Sequence, residues 1–592
     1  QLVEVRETVE EIRVPRFVED EPGPVPKQKV ARRLFADVAD EDLLAYGVPQ
    51  EWIDDARAVT EETLFDLAER LPSEAAEALL ELATGGRPQP SVVASVESDP
   101  FEHPDAQRRF RSMSSAGELE RALNEPWEKW AVFLHPSQRE IVEREFSGPA
   151  RVSGSAGTGK TVVALHRAVH LARTHPDARV LLTTFSITLA RSLRRKIKSL
   201  VGNDPAIADR VVVRAIDQIG IEVYASKHGQ PKIPTASMVA SVVREVLKKH
   251  PDNKFKARFV ESEWTDVVDA WQIDSWEAYR DVPRLGRKTR LGERQREMLW
   301  SIFREVRKRL DETGLTTMPS VFTEAMRLLR DTEKPMFDFA VVDEAQDIGV
   351  PELRFLAALG ASRPEALFFA GDLGQRIFQT PFSWKSLGVD IRGRSSTLRV
   401  NYRTSHEIRS QADRLLPPEV SDVDGVSESR QGTISVFNGL APEIVAAASP
   451  EKEVGIVAEW IGSRLAEGVR PHEVGVFVRS VGQIDRARSA IRAAKATPFE
   501  LDGNEDHREG HVSLSTMHLA KGLEFRAVVV MACDDEVVPL QERIDAVGDE
   551  ADLKDVYDTE RHLLYVACTR ARDRLLVSGV EPASEFLDDL RG

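Results

Sequence analysis

From about Trp130 onward the chain alternates between short apolar runs and longer segments of helical spacing. The runs read "ARVSGSAG", "ARVLLTTF", "RVVVRAI", "FAVVDEA", "ALFFAGD", "SSTLRV", "GVFVRS", "VVVMACD" and "RLLVSG". Runs of four to eight apolar residues bounded by breakers suit strands buried on both faces, and helical segments between them predict a parallel sheet covered on both sides. The texture before Trp130 differs. Residues 31–90 predict short helices ("DEDLLAYG", "PQEWIDDARA", "TEETLFDLAERL", "SEAAEALLELA") that stop at Gly-Val-Pro and Leu-Pro. Residues 1–30 are acidic, spotted with proline and expected to be extended, and 86–105 read as a linker.

One apolar run ends unusually. Phe339 to Val342 stops at two adjacent carboxylates, Asp343 and Glu344. Charges at the end of a buried strand are costly unless a positive partner awaits them. That partner is found in "GSAGTGKT", which follows the strand "ARVS" and opens the helix "KTVVALHRAVHLA". This is the G-x-x-x-x-G-K-[ST] pattern in its strand–loop–helix setting. Gly154, Ser155, Ala156, Gly157, Thr158 and Gly159 are read as a phosphate cradle at a helix N-terminus, a position that favours anions. Lys160 is assigned to the β- and γ-phosphates of ATP and Thr161 to Mg²⁺. Asp343 becomes the second metal-holding residue and Glu344 the base for an attacking water. Binding alone requires only the first carboxylate, so the pair argues for hydrolysis.

Composition narrows the surroundings. A chain of 592 residues is too long for one core, and 42% hydrophobic with 30% charged residues is ordinary globular usage. No run of eighteen apolar residues and no basic-then-apolar leader occurs in this sequence, so neither a membrane span nor a secretion signal is expected. The first residue is Gln rather than Met, which is compatible with sequence upstream. Two cysteines, Cys533 and Cys568, give no disulfide framework and fit a reducing cytoplasm. The net charge of −17 is uneven: residues 1–130 carry −14 and the remainder only −3. Within that remainder, 281–310 hold ten Lys/Arg against four acids, and "RSLRRKIK" is a second basic cluster. Solvated helix faces would explain either cluster alone, but the distribution permits a polyanion partner.

"DEAQD", Asp343 to Asp347, resembles motif II of superfamily 1 helicases of the UvrD/Rep/PcrA type, and further segments match that family in order from about 131 to 580. "LHPSQREIV" supplies Gln138 as the adenine-reading Q motif, and "LLTTFSITLARSL" resembles motif Ia with Thr184 and Phe185 facing nucleic acid. "AGDLGQRIF" resembles motif III, with Gln375 as γ-phosphate sensor, and Trp384 stands where the family places a stacking tryptophan. "LRVNYRTS" resembles motif IV, with Tyr402 stacking on the base of the nucleotide and Arg403 meeting its γ-phosphate. "STMHLAKGLEF" resembles motif V, with Thr516 and His518 facing the strand and Glu524 the nucleotide sugar. "LLYVACTRARDRLL" resembles motif VI, making Arg570 a finger that completes the site when a cleft closes. For Phe185 and Trp384, plain core packing is the rival reading.

The resemblance implies an α/β chain of two RecA-like P-loop NTPase domains, parallel sheets with helices on both faces. A mainly helical insertion in the first domain and a small helical N-terminal region complete the expectation. The boundaries read 1–130, 131–395 with the insertion at about 220–330, and 396–592. It implies an ATP- and Mg²⁺-dependent 3′→5′ translocase or helicase on single-stranded DNA, with a motor on RNA or in a transcription complex, or an ATP-gated regulatory subunit, as alternatives. Three readings compete for residues 1–130: a dock for a protein partner, a polyanion mimic, or an inert appendage. Two departures stand out. Only 112 residues separate Arg403 from Thr516, too few for the family's second mobile insertion, which makes translocation a firmer expectation than strand separation. Ile187 and Asp217 stand where the family often has a polar residue and a strand-contacting His.

Overall fold

The computed structural model describes residues 33–46, 48, 52–60, 63–68, 71, 73–86, 88, 134, 136–202, 204–282, 291–331, 335–360, 362–372, 382–417, 419–421, 423–425, 427–429, 432–435, 438–501, 508–545 and 550–591. The chain forms two compact units, Gln1–Val92 and Val93–Gly592. In the first, four short helices (Asp40–Ala45, Ile53–Ala58, Leu64–Ala68, Ser73–Ala83) enclose a small core that includes Phe35, Leu43, Leu64, Ala75 and Leu79. Arg33 and Thr60 form an antiparallel bridge beside them.

The second unit contains, among the described residues, two six-stranded parallel sheets. The first comprises β1 (Ala150–Ser153), β2 (Val180–Thr184), β3 (Val211–Ala215), β4 (Phe339–Val342), β5 (Leu367–Ala370) and β6 (Ser395–Thr397), in the order β3-β2-β4-β5-β1-β6. Two small pairs follow: β7 (Val400–Asn401) beside β10 (Ile434–Ser435), and the antiparallel β8 (Glu419–Ser421) and β9 (Ser427–Ser429). The second large sheet comprises β11 (Glu443–Ala447), β12 (Val474–Val478), β13 (Pro498–Glu500), β14 (Val512–Thr516), β15 (Phe525–Val530) and β16 (Ala571–Val580), in the order β11-β16-β15-β12-β14-β13.

Alternation along the strands explains why both sheets are covered on two faces. In the first, Leu182 and Phe368 join a cluster with Val163 and Val169, whereas their neighbours Leu181 and Phe369 join one with Ile219, Phe322 and Phe355. In the second, Val528 and Phe477 pack with Leu563 and Leu564, whereas Val529 and Val476 pack with Val457 and Ile491. Successive side chains of a strand point to opposite faces, so an unbroken apolar run serves two helix layers. Helix starts carry their expected caps: Ser186, Thr235, Ser405 and Ser449 each accept a backbone N–H of the first turn.

Between β3 and β4 lies a mainly helical segment with its own core around Trp264, Tyr279, Trp300, Phe303 and Val306. It includes a stretch of π-helix, Trp264–Asp269. From Arg403 to Thr516 the chain builds strands and helices of the second sheet and the β8–β9 hairpin.

Candidate nucleotide site and nucleic-acid face

The phosphate loop leaves the C-terminal end of β1 and enters the helix Lys160–Thr174 through Gly159. The loop is held from outside. Asn401 is fully buried, donates to Ala156 O at 2.9 Å and accepts the backbone N–H groups of Arg403 and Thr404. Gly157, at φ +84, is pressed so closely by Asn401 that an added Cβ would collide with it, which is why this position requires glycine. Tyr402 N donates to Gly157 O at 3.0 Å. Gln138, buried beneath the loop, donates its amide to Thr158 O at 3.0 Å. Lys160 Nζ donates to Gly154 O and Ser155 O at 2.7 and 2.9 Å and lies 3.9 Å from Asp372.

Asp343 and Glu344 end β4 directly beside this loop. Burial, and then the charge of Glu344, push the Asp343 carboxyl up, while a hydrogen bond from Thr161 pulls it back. Glu344 behaves oppositely. Burial raises it too, but Lys521, Lys160 and Arg570 together bring it below the usual carboxylate range. Glu344 has φ +54, a left-handed conformation uncommon for a non-glycine residue and frequent where a functional side chain is aimed. Its carboxylate accepts from Gln346 Nε2 at 2.6 Å, and Gln346 Oε1 accepts Asp372 N at 2.9 Å. A cradle of backbone N–H groups, a lysine, and a hydroxyl beside a carboxylate whose charge burial opposes form a donor set that fits a triphosphate with a divalent cation.

The second sheet contributes the opposite wall. Arg570 is almost wholly buried, with Nε on Val566 O at 2.9 Å. Burial and then the neighbouring Arg403 lower its guanidinium to about 10, so it stays charged at neutral pH. Arg403 pairs with Glu524 at 3.0 Å and donates to Thr569 O. Desolvation in the cleft opposes the charge of Glu524, whose side chain is still 39% exposed, but Arg403, then Lys196 and Arg570, bring it to about 2. The geometry therefore brings Gln138, Gly154–Thr161, Asp343, Glu344, Tyr402, Arg403, Glu524 and Arg570 to one cleft. Gln375 lies outside the described residues.

The nucleic-acid candidates divide differently. Thr184 ends β2 and is buried. Phe185 is half-buried, with Lys521 Nζ 5.9 Å from its ring centre. Trp384 is half-buried, edge-on to Phe369 at 4.8 Å, with the Arg151 guanidinium 5.9 Å away. Both rings pack against the first sheet's core, so they combine a core edge with an accessible face. Thr516 ends β14, and His518 lies half-buried in the turn Met517–Ala520. Asp217, in the first turn of the helix Ile216–His228, is pushed up to about 6 by burial and still carries its charge at neutral pH, so the repulsion it implies for a phosphate stands.

Several residues escaped sequence reasoning. Lys521 pairs with Asp347 and lies 3.9 Å from Glu344, crossing from the second sheet to the carboxylates of the first. Next to it Gly522, at φ +77, abuts Leu189 so closely that a Cβ would collide. Asking what neutralises Asp347 would have pointed to a lysine. Lys196 lies near enough to favour the charges of both Asp343 and Glu524. It flanks the buried stripe Leu193–Ile197 in a segment whose basic composition suggested a solvated face. Gln346 and Asn401 carried no separate signal, because each acts through amide geometry visible only in three dimensions.

A phosphate loop at the end of one parallel sheet, faced by arginines and a lysine from a second, defines a P-loop NTPase of two RecA-like layers. The chain belongs to the UvrD-like helicase family: residues 134–383 match the UvrD/REP helicase N-terminal domain and 497–581 the UvrD-like helicase C-terminal domain. Relatives include YjcD of Bacillus subtilis, a provisionally assigned ATP-dependent DNA helicase, 24% identical over 59% of this chain and 46% of YjcD. ATP-dependent DNA helicase UvrD1 of Mycobacterium tuberculosis is 40% identical over 13% of this chain and 9% of its own length. DNA helicase II of Rickettsia typhi is 32% identical over 20% and 17%. The chain thus covers less than half of each of these relatives. Among the described residues no helix is long and apolar enough to cross a membrane.

Proposed function

We propose that this chain is an ATP-driven DNA motor that moves 3′→5′ along single-stranded DNA and hydrolyses ATP between its two RecA-like domains, 131–395 and 396–592. The observation that carries the reading is the crossing of the cleft: Lys521 from the second sheet seats on Asp347 and Glu344 of the first. Groups from both layers are then needed to complete one site, so nucleotide chemistry and relative movement of the layers are linked. Lys160 and the loop N–H groups bind the β- and γ-phosphates, and Gln138 and Tyr402 flank the base. Thr161 and Asp343 would hold Mg²⁺, which when bound neutralises charge on the phosphate oxygens. Glu344, kept ionised by its lysines, takes the proton of the attacking water, while Arg403 and Arg570 offset charge that develops in the transition state. Gln375 is assigned the sensing of the γ-phosphate. Thr184, Phe185, Trp384, Thr516 and His518 grip the strand by stacking and polar contacts, which tolerate any base sequence.

Steady-state ATP turnover with and without single-stranded DNA tests this. Strong stimulation is expected, with the half-saturating DNA concentration rising about 100-fold between about 50 and 200 mM salt if about five phosphates are contacted. Stimulation by RNA alone would move the substrate, and none by either would end the motor reading.

The grip of His518 carries its own expectation. Burial, and then the Arg479 charge, lower its pKa to about 4, so it meets the strand as a neutral hydrogen-bonding group. DNA affinity should therefore show no titration near pH 6.5 that His518→Ala removes; finding one by fluorescence anisotropy would contradict this. The sign for stability follows: a depressed histidine favours folding above its unfolded pKa of about 6.5, and that contribution fades as pH falls toward 4.

A further inference from the structure

Behind the turn that carries His518, one buried carboxylate joins three separate elements. Glu560 lies in the helix Glu550–Cys568 and is almost wholly buried. It accepts two hydrogen bonds from Arg479, Nε at 2.5 Å and Nη2 at 2.7 Å, in a fork-to-fork pair. A third comes from Arg543 Nη1 at 2.9 Å. Arg479 directly follows β12, Arg543 lies in the short helix Gln541–Ile544, and Glu560 belongs to the long helix that ends just before Arg570. The turn Met517–Ala520 packs on that same helix, with Met517 and Ala520 in one cluster with Leu563, Leu564 and Ala567.

A bidentate pair fixes orientation as well as distance, and a buried one resists rearrangement because neither charge can be left alone. About 12 Å of helix runs from Glu560 to the helix end at Cys568, two residues before Arg570, short enough for a rigid rod to carry a displacement from one end to the other. The same rod supports the His518 turn on its flank. We propose that Glu560, through Arg479, is the positioning residue that holds the His518 turn and the Arg570 helix as one body, so that engagement of the strand is felt at the nucleotide. This rests on the motor reading above. Glu560 is buried against Arg479 and Arg543 and is assigned to neither site, so its loss should uncouple the two sites while each keeps its own parts.

The experiment is a double-mutant cycle on the full chain: wild type, Glu560→Gln, His518→Ala and the double variant. ATP turnover is titrated with an oligothymidine single strand, and binding of a fluorescent ATP analogue and thermal melting are recorded alongside. Glu560→Gln should raise the half-saturating strand concentration at least tenfold with nucleotide affinity within about twofold, and should add little once His518 is already alanine. Should Glu560→Gln lose its cooperative melt, Arg479→Lys reads the same cycle, because it keeps a charge beside Glu560 but not the fork. An unmoved half-saturation, full additivity with His518→Ala, or loss of nucleotide binding in step with stimulation would each overturn the proposal. A wild type that the strand does not stimulate would instead end the motor reading, which keeps the two failures distinct.

Discussion

Replacing Arg570 with alanine is expected to lower strand-stimulated ATP turnover by about 10³- to 10⁵-fold, the effect of an arginine that meets transition-state charge in P-loop enzymes. That range corresponds to about 4–7 kcal/mol of barrier. The location supports so large a value: Arg570 is buried, stays charged at neutral pH, and its charge bears on both Glu344 and Glu524. A charge in such an enclosed cleft acts with little solvent screening. Arg570→Lys separates charge from shape, because lysine retains the charge but cannot form a planar fork. It should recover part of the turnover, at most about a tenth. Nucleotide affinity should change far less than kcat, since the interaction strengthens on the way to the transition state. A kcat within tenfold of wild type for Arg570→Ala, in a protein with an unchanged melt, would remove the arginine from the chemistry.

Legibility from the sequence followed the range of the interactions involved. The phosphate loop was readable because its glycines, lysine and threonine are contiguous and flanked by a strand and a helix. Asp343 and Glu344 were readable because charges end an apolar run. The two-faced sheets were readable because uninterrupted apolar strands leave no other arrangement. What remained hidden depends on separations of about eighty residues or more. Lys521 is far in sequence from Asp347, and the Arg479–Glu560 pair joins residues 81 apart. Neither follows from periodicity, because a buried charge is stable only in view of a partner that spacing does not reveal. Lys196 illustrates a subtler failure: its neighbours mark an amphipathic helix correctly, but the edge of the apolar stripe faces a cleft and not solvent.

Glu344→Gln is expected to reduce kcat by about 10²- to 10⁴-fold while nucleotide and strand binding survive. The substitution keeps the shape and removes only the capacity to accept a proton. The local structure tolerates it: Lys521 keeps its pairing with Asp347, so no buried cation is orphaned, and the amide oxygen can still accept from Gln346. The backbone at φ +54 is demanding, but glutamine is no more constrained there than glutamate. Because its lysines hold Glu344 below the ordinary range near pH 4.3, and bound Mg²⁺ would keep the otherwise raised Asp343 ionised, kcat at saturating Mg²⁺ should stay flat from pH 8 down to about 5 and fall only at lower pH. Single-turnover hydrolysis with saturating strand, across that range, reads both effects. A wild-type acid limb centred near 6 would mean that burial outweighs the lysines and that the base at work is ionised only by their closer approach. A Glu344→Gln variant with kcat within tenfold of wild type would assign proton transfer to another group and leave Glu344 as a structural partner of Gln346 and Lys521.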